Sequence, residues 1–398
     1  MNIISPFSHP IYVMTKPVGA ACNLNCSYCY YLEKSHTISH NSSLQITDDT
    51  LELFIKQYIE AQTQRDVLFI WHGGEPMLKP ISFYNRVIYL QERYAQGHHI
   101  DNCIQTNGTL INADWCKFLK ENNWLVGISI DGPEQYHNLY RTNRLGETSF
   151  TKVMQSIQLL NEWGVEWNAM AVVHSGNVTH PKEFYQFFKD INCHYIQFTP
   201  IVERTINGQL ATIDDRAEEC KLTPYSITPS QWGTFCCSIF DEWVKTDIGE
   251  YFVQLFDATL ANWCNVEPGV CSLAKSCGYA MAMEPNGDVY SCDHFVFPQF
   301  RLGNIHKQTI TQMGYGTKQT QFRKIKSQLP QVCQQCKWLF ACNGECPKNR
   351  FCIVPNSEYR VNYLCHGYKQ FFEHVKPYMD RMKQMIERGR CAADIMDI

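Results

Sequence analysis

Three cysteines stand within eight residues in the stretch Cys22-Asn-Leu-Asn-Cys26-Ser-Tyr-Cys29, and no fourth thiol follows nearby. A 4Fe-4S cube has four irons and is ordinarily closed by four cysteine thiolates, so a tight loop of three points to a cluster whose last iron is open to a small molecule. Such an open position is catalytic. The competing readings are a zinc knuckle or three unrelated thiols, but structural zinc sites take four ligands and no histidine follows until His36.

The rest of the composition narrows the setting. A chain of 398 residues fits two domains, or one large barrel with an appendage. A formal charge of -4 and a pI near 6.4 give no basic field for nucleic acid or an anionic membrane, so neither partner is expected. The start, Met1-Asn-Ile-Ile-Ser-Pro-Phe-Ser, has no basic region followed by a long apolar one, and no later apolar run reaches membrane-spanning length. A cytoplasmic protein is expected. Twenty cysteines in short clustered spacings suit metal clusters better than disulfides in such a setting.

From about residue 10 to residue 200, β-rich apolar runs alternate with amphipathic stretches. The strands are expected at Ile11–Thr15, Val67–Trp71, Asn102–Thr106, Leu125–Ile130, Glu166–Val173 and Tyr195–Thr199. Helical spacing is clear at Leu51, Phe54, Ile55, Tyr58 and Ile59, where Thr47 is a start signal, and at Phe150, Val153, Met154, Ile157 and Leu160. Six strand-then-helix repeats argue for a parallel sheet covered by helices, a partial (β/α)6 TIM-like barrel. From 200 to 265 the signal fades: Glu203 to Glu219 reads as a loop and Trp232 to Val253 as a helix.

Parallel α/β sheets place ligands at the carboxyl ends of their strands. The cysteine loop follows the first strand. His72-Gly73-Gly74-Glu75-Pro76 follows the second, with two glycines that allow close backbone approach and one carboxylate that could pair with an ammonium group. Asn107 follows the third strand, and Ser129 and Asp131 the fourth. Singly these are ordinary turns; as a series on one rim they are candidate ligand contacts, with Arg141 or Arg144 available to a carboxylate.

A second cysteine field holds Cys271, Cys277, Cys292, Cys333, Cys336, Cys342, Cys346 and Cys365. A hairpin from Met281 to Tyr290, turning at Asn286-Gly287, separates its early members. Eight thiols close two 4Fe-4S clusters, although two zinc sites would fit the same spacings. Nine of the twenty cysteines, Cys352 among them, carry no assigned role. A long amphipathic helix with Tyr368, Phe371, Phe372, Val375, Tyr378, Met382 and Met385 closes the chain, expected to pack against the barrel.

The first motif, with Tyr28 before its third cysteine, resembles the radical S-adenosylmethionine (SAM) enzymes, and the second field resembles their SPASM extension. Cys292-Asp293-His294-Phe295-Val296 and Leu302-Gly303-Asn304-Ile305 resemble the anaerobic sulfatase-maturating enzymes in particular. The resemblance implies a radical SAM barrel over 1–235 and a SPASM domain with hairpin and C-terminal helix over 236–398. It implies three 4Fe-4S clusters: Cys22, Cys26 and Cys29 bind SAM through the open iron; Cys271, Cys277, Cys292 and Cys346 hold one auxiliary cluster; Cys333, Cys336, Cys342 and Cys365 hold the other. Gly73, Gly74 and Glu75 match the motif that holds the SAM amino group, and Asn107, Ser129, Asp131 and Arg141 become SAM contacts. Tyr31 matches a position near the substrate.

Asp293 matches the family's general base. A carboxylate beside a negatively charged cluster is expected to have a raised pKa and to accept protons better near neutral pH; alternatively it caps a turn. The implied reaction oxidises a cysteine or serine, in an unfolded or nascent sulfatase segment of the type Cys/Ser-x-Pro/Ala-x-Arg, to Cα-formylglycine. A reductant such as flavodoxin or ferredoxin would supply electrons. Two other readings stay open. One is a radical enzyme that modifies a small precursor peptide, against which stands the short stretch before the first strand. The other is a non-catalytic zinc or iron-sulfur binding module.

Overall fold

The computed structural model describes residues 10–31, 45–211 and 219–397. The expected start segment, His36 and part of the Glu203 to Glu219 loop lie outside them. All six expected strands form: β1 (Tyr12–Thr15), β2 (Asp66–Trp71), β3 (His99–Thr106), β4 (Leu125–Ser129), β5 (Trp167–Val173) and β6 (Tyr195–Pro200). In the region that gave no sequence signal, short strands at Arg204–Ile206 and Gln209–Leu210 pair antiparallel where a loop was expected. The helix expected to reach Val253 is Pro229–Thr246, ended by Asp247 before a short strand at Phe252–Val253.

The described residues fall into two compact units interleaved in sequence: Met1–Ser129, Tyr140–Trp167 and Gly278–Arg323 in one, Ile130–Leu139, Asn168–Cys277 and Lys324–Ile398 in the other. The interleaving has a simple cause. The first strand of the predicted hairpin, Ala280–Met283, pairs in parallel with β1 in the register Tyr12 to Ala280 and Thr15 to Met283. That pairing draws residues 278–323 into the first unit. Its strands run β4, β3, β2, β1, Ala280–Met283, Asp288–Tyr290, Arg301–Asn304, parallel through the first five and antiparallel in the last pairs.

The expected helix start is present. Thr47 accepts a hydrogen bond from Thr50 N–H at the head of Asp48–Glu60, which satisfies one of the four orphan donors of a helix start. Phe54, Tyr58, Phe69, Trp71, Tyr84 and Trp124 interlock beneath this helix with ring centroids about 5 to 6 Å apart. In the second unit β5, β6 and Phe252–Val253 are parallel neighbours.

The closing helix spans Cys365–Glu387 and buries Tyr368, Phe371, Phe372, Val375, Met379, Met382 and Met385. It packs along the Pro229–Thr246 helix, where glycines permit the approach. A side chain at Gly367 would place its Cβ 2.1 Å from the Pro229 carbonyl oxygen, and one at Gly233 would meet the Gly367 carbonyl at 2.9 Å. Backbone cannot give way as a flexible side chain can. Gly367→Ala is therefore expected to cost about 1–3 kcal/mol through forced separation of the helices, read as a lower denaturant midpoint for the anaerobically handled protein.

Candidate functional site

In the first unit the cysteine loop is held by backbone. Asn25 N–H donates to the Thr142 carbonyl at 2.7 Å and Ser27 N–H to the Tyr140 carbonyl at 3.2 Å, so the loop is tied to the segment that carries Arg141. Cys29 N–H closes a turn on the Cys26 carbonyl at 2.9 Å. The Cys22 sulfur accepts from Leu24 N–H at 3.4 Å and from the Asn107 amide at 3.7 Å. Burial first, and the Glu75 carboxylate next, push the Cys22 thiol up to about 11.

The loop after β2 grips the cysteine loop from the other side. Gly74 N–H donates to the Gly19 carbonyl at 2.7 Å and Glu75 N–H to the Ala21 carbonyl at 2.8 Å. A Cβ at Gly74 would lie 2.0 Å from the Ala21 oxygen, and Gly73 has φ +125° with its missing Cβ 2.8 Å from the Gly19 oxygen. The two glycines thus admit another stretch of backbone. Glu75 is fully buried. Its carboxylate accepts from Met77 N–H, the Thr106 hydroxyl and Asn107 N–H at 2.8–2.9 Å. Burial outweighs these three donors and lifts the acid to about 7. Three bonds on a group with about four acceptor sites leave room for one further donor.

The remaining strand-end residues are placed as follows. Asn107 joins Asn23 at 2.8 Å and accepts from Thr109, so it spans from the β3 end to the cysteine loop. Ser129 closes β4 and accepts from the Gln105 amide at 3.0 Å. Arg141 is buried, with its guanidinium 5.5 Å from the Tyr28 ring centre, whereas Arg144 is exposed. Asp131 belongs to the second unit, where its buried carboxylate accepts from Val172 N–H at 2.9 Å.

Asp293 has the richest surroundings of the expected residues. Its carboxylate accepts from the Tyr31 hydroxyl at 2.7 Å, from the Tyr30 hydroxyl, and from the Lys16 ammonium. Lys16 has no exposed side-chain surface; it also stands 3.7 Å from Glu284 and 3.7 Å from the centre of the Tyr31 ring. An ammonium in contact favours the ionised carboxylate. This opposes the effect expected of a neighbouring cluster, and it is the part of the site that sequence reasoning missed. The available signal was a lysine closing a buried strand directly before the cysteine loop, a place where a charge survives only if paired. His72 was also passed over. Its Nδ1 accepts from Gly73 N–H at 2.7 Å, leaving the proton on Nε2, and burial holds its pKa below the ordinary value despite the Asp293 charge.

The second cysteine field divides between the units. Cys292 stands in the first, one residue before Asp293; Cys271, Cys277 and Cys346 stand in the second. Cys333, Cys336, Cys342 and Cys365 line one cavity of about 130 Å³ together with Trp338, Leu339 and Tyr368. Burial pushes the Cys342 thiol up to about 12 and raises Cys333 and Cys365. Among the described residues no three histidine, cysteine or acidic side chains converge on a single-ion position. Four soft sulfur donors around one cavity fit an iron-sulfur cluster, whose volume keeps its ligands apart, better than one tetrahedral zinc. Among the described residues no helix is long and apolar enough to cross a membrane.

Residues 17–188 match the Radical SAM superfamily and residues 271–337 an iron-sulfur cluster-binding domain called SPASM. The chain is 55% identical over 397 residues to the serine-type anaerobic sulfatase-maturating enzyme of Bacteroides thetaiotaomicron, covering 98% of this chain and 96% of that one. It is 32% identical over 375 residues to a cysteine-type enzyme of Clostridium perfringens, covering 92% and 97%. A solved structure, native anSMEcpe with bound AdoMet and the Cp18Cys peptide, superposes with a TM-score of 0.82 at 31% identity, covering 94% of this chain and 99% of that one.

The buried charges make a direct stability test. Lys16→Met leaves the Asp293 and Glu284 carboxylates without their shared cation and is expected to destabilise the chain by about 3–5 kcal/mol. Adding Glu284→Gln should recover part of that loss in anaerobic denaturant titrations. In Gly74→Ala the new methyl meets the Ala21 carbonyl, and the variant is expected to unfold at a lower denaturant concentration than the parent.

Proposed function

The chain belongs to the anaerobic sulfatase-maturating enzymes of the radical SAM superfamily, and from that premise we propose a residue-by-residue account of how it converts a sulfatase side chain to formylglycine. The enzyme is a radical SAM oxidoreductase that uses SAM and iron-sulfur clusters. In this account Cys22, Cys26 and Cys29 hold the SAM-binding cluster. Cys271, Cys277, Cys292 and Cys346 hold one auxiliary cluster, and Cys333, Cys336, Cys342 and Cys365 the other. Gly73, Gly74, Glu75, Asn107, Ser129, Asp131 and Arg141 form the SAM-binding set. A functional boundary near residue 235 is part of the same proposal, and the matched spans 17–188 and 271–337 lie on either side of it.

When bound, SAM on the open cluster supplies a 5'-deoxyadenosyl radical that takes a hydrogen atom from the substrate β-carbon, and closed clusters can accept an electron. Converting the side chain to an aldehyde also removes one proton and one electron. Asp293 takes the proton. Its support is the contact set of Lys16, Tyr30 and Tyr31, which holds an anionic acceptor in fixed orientation; this observation carries the reading. Tyr31 both orients that carboxylate and borders the substrate. The substrate is an unfolded segment of a sulfatase carrying Cys/Ser-x-Pro/Ala-x-Arg, and serine is the favoured target, since the 55% identical relative is a serine-type enzyme. A flavodoxin- or ferredoxin-like reductant and a cytoplasmic, low-oxygen setting complete the proposal.

The test uses anaerobically reconstituted enzyme, SAM, a reductant and two peptides that differ in serine or cysteine at the target position. The serine peptide is expected to lose the mass of two hydrogens and to gain hydrazine reactivity; SAM cleavage with both peptides unchanged overturns the assignment. Asp293→Asn should lower peptide oxidation by about 10²–10⁴-fold while SAM cleavage persists. Equal peptide oxidation by the variant removes Asp293 from the base role.

A further inference from the structure

Two cluster cysteines of the second unit, Cys342 and Cys346, are joined by three residues that all have positive φ: Asn343 at +47°, Gly344 at +74° and Glu345 at +53°. A run of left-handed backbone is unfavourable for residues with a Cβ, so something must hold it. Arg350 does. Its guanidinium donates to the carbonyls of all three residues, at 3.3, 2.8 and 2.9 Å, and also to the Lys326 carbonyl at 2.9 Å. A side chain at Gly344 would put its Cβ 2.7 Å from the guanidinium, so that glycine is the space Arg350 occupies.

Lys326 stands against the same turn. Its buried ammonium donates to the carbonyls of Ser272 at 2.6 Å and Glu345 at 3.1 Å. Ser272 adjoins Cys271, so one cation touches the backbone beside Cys271 and beside Cys346. Cys342 and Cys346 are assigned to different auxiliary clusters, so the turn that both cations bond joins ligands of the two.

Resting on the ligand assignment proposed above, we infer that Arg350 and Lys326 form a cationic clamp that shapes the Cys342 to Cys346 turn and raises the reduction potentials of both auxiliary clusters. The physical ground is that a cluster closed by four thiolates becomes more negative on reduction, and a buried cation nearby stabilises the reduced form more than the oxidised one. The two residues divide the work. Arg350 supplies a planar fork that satisfies several carbonyls at once, which a lysine cannot replace. Lys326 supplies charge with fewer bonds. Both are positioning residues, acting through the backbone carbonyls they bond.

The experiment uses full-length protein with Cys22, Cys26 and Cys29 replaced by alanine, so that all iron and every paramagnetic signal belong to the auxiliary sites. Iron content and redox titration followed by electron paramagnetic resonance are then compared across variants. Lys326→Met is expected to retain iron and shift both potentials downward. Arg350→Lys is expected to lose iron because charge without the fork does not hold the turn. Unshifted potentials in Lys326→Met overturn the electrostatic part, and full iron in Arg350→Lys overturns the structural part. Absence of iron from the parent protein overturns the auxiliary ligand assignment itself, an outcome separate from either.

Discussion

The first unit's site depends on one contact between backbones. The loop after β2 can reach the cysteine loop because Gly73 and Gly74 have no side chains, and the bonds from Gly74 to Gly19 and from Glu75 to Ala21 follow from that approach. Once the two loops touch, the Glu75 carboxylate is carried into the interior, where it caps its own turn and bonds the end of β3 at Thr106 and Asn107. Asn107, fixed in turn, reaches Asn23 and the Cys22 sulfur. Three strand-end loops are thereby locked to one another around Cys22. Rigid placement is what a site needs if it is to present one geometry to its ligand.

Much of this was legible because the signals were periodic or chemically narrow. Strands of four to eight residues alternating with helices give a repeating apolar pattern, and the observed strands fall within a few residues of the expected ones. Thr47 could be read as a cap because its hydroxyl has one local task. Other features left no local trace. The Trp232 to Val253 stretch keeps an apolar face past the helix end, and the break at Asp247 is fixed by tertiary bonds from Tyr185 and Lys189 to that carboxylate. Pairing of Ala280–Met283 with β1 joins residues more than 260 apart, and no spacing rule reports such a partnership. The role of Gly73 and Gly74 was half legible: close backbone approach was foreseen, but not that the cysteine loop itself makes that approach.

Electrostatics connects the two cysteine fields without reference to where they lie. In each, burial raises a thiol, to about 11 at Cys22 and about 12 at Cys342, and a metal bound by either sulfur would have to displace its proton. The surroundings differ between the two fields. Arg350 and Lys326 bond the backbone between Cys342 and Cys346, while the Cys22 sulfur accepts from a backbone N–H and an amide.

Lys16 sharpens the same question from the side of cost. A fully buried lysine shared by two carboxylates is seldom the most stable way to fill a core, because desolvation of the charges consumes much of what their attraction returns. An apolar triad of similar volume would serve a purely structural end as well or better. The chain nonetheless places Lys16 at the end of β1, against Asp293, with Tyr30 and Tyr31 completing the carboxylate's donors. What such a network provides is one orientation for Asp293, which carries more exposed surface than either of its charged neighbours. Glu284, deeper at 3.7 Å, gives the buried ammonium a second anion. A carboxylate held from several sides while part of it stays accessible is the arrangement that the role proposed for Asp293 requires.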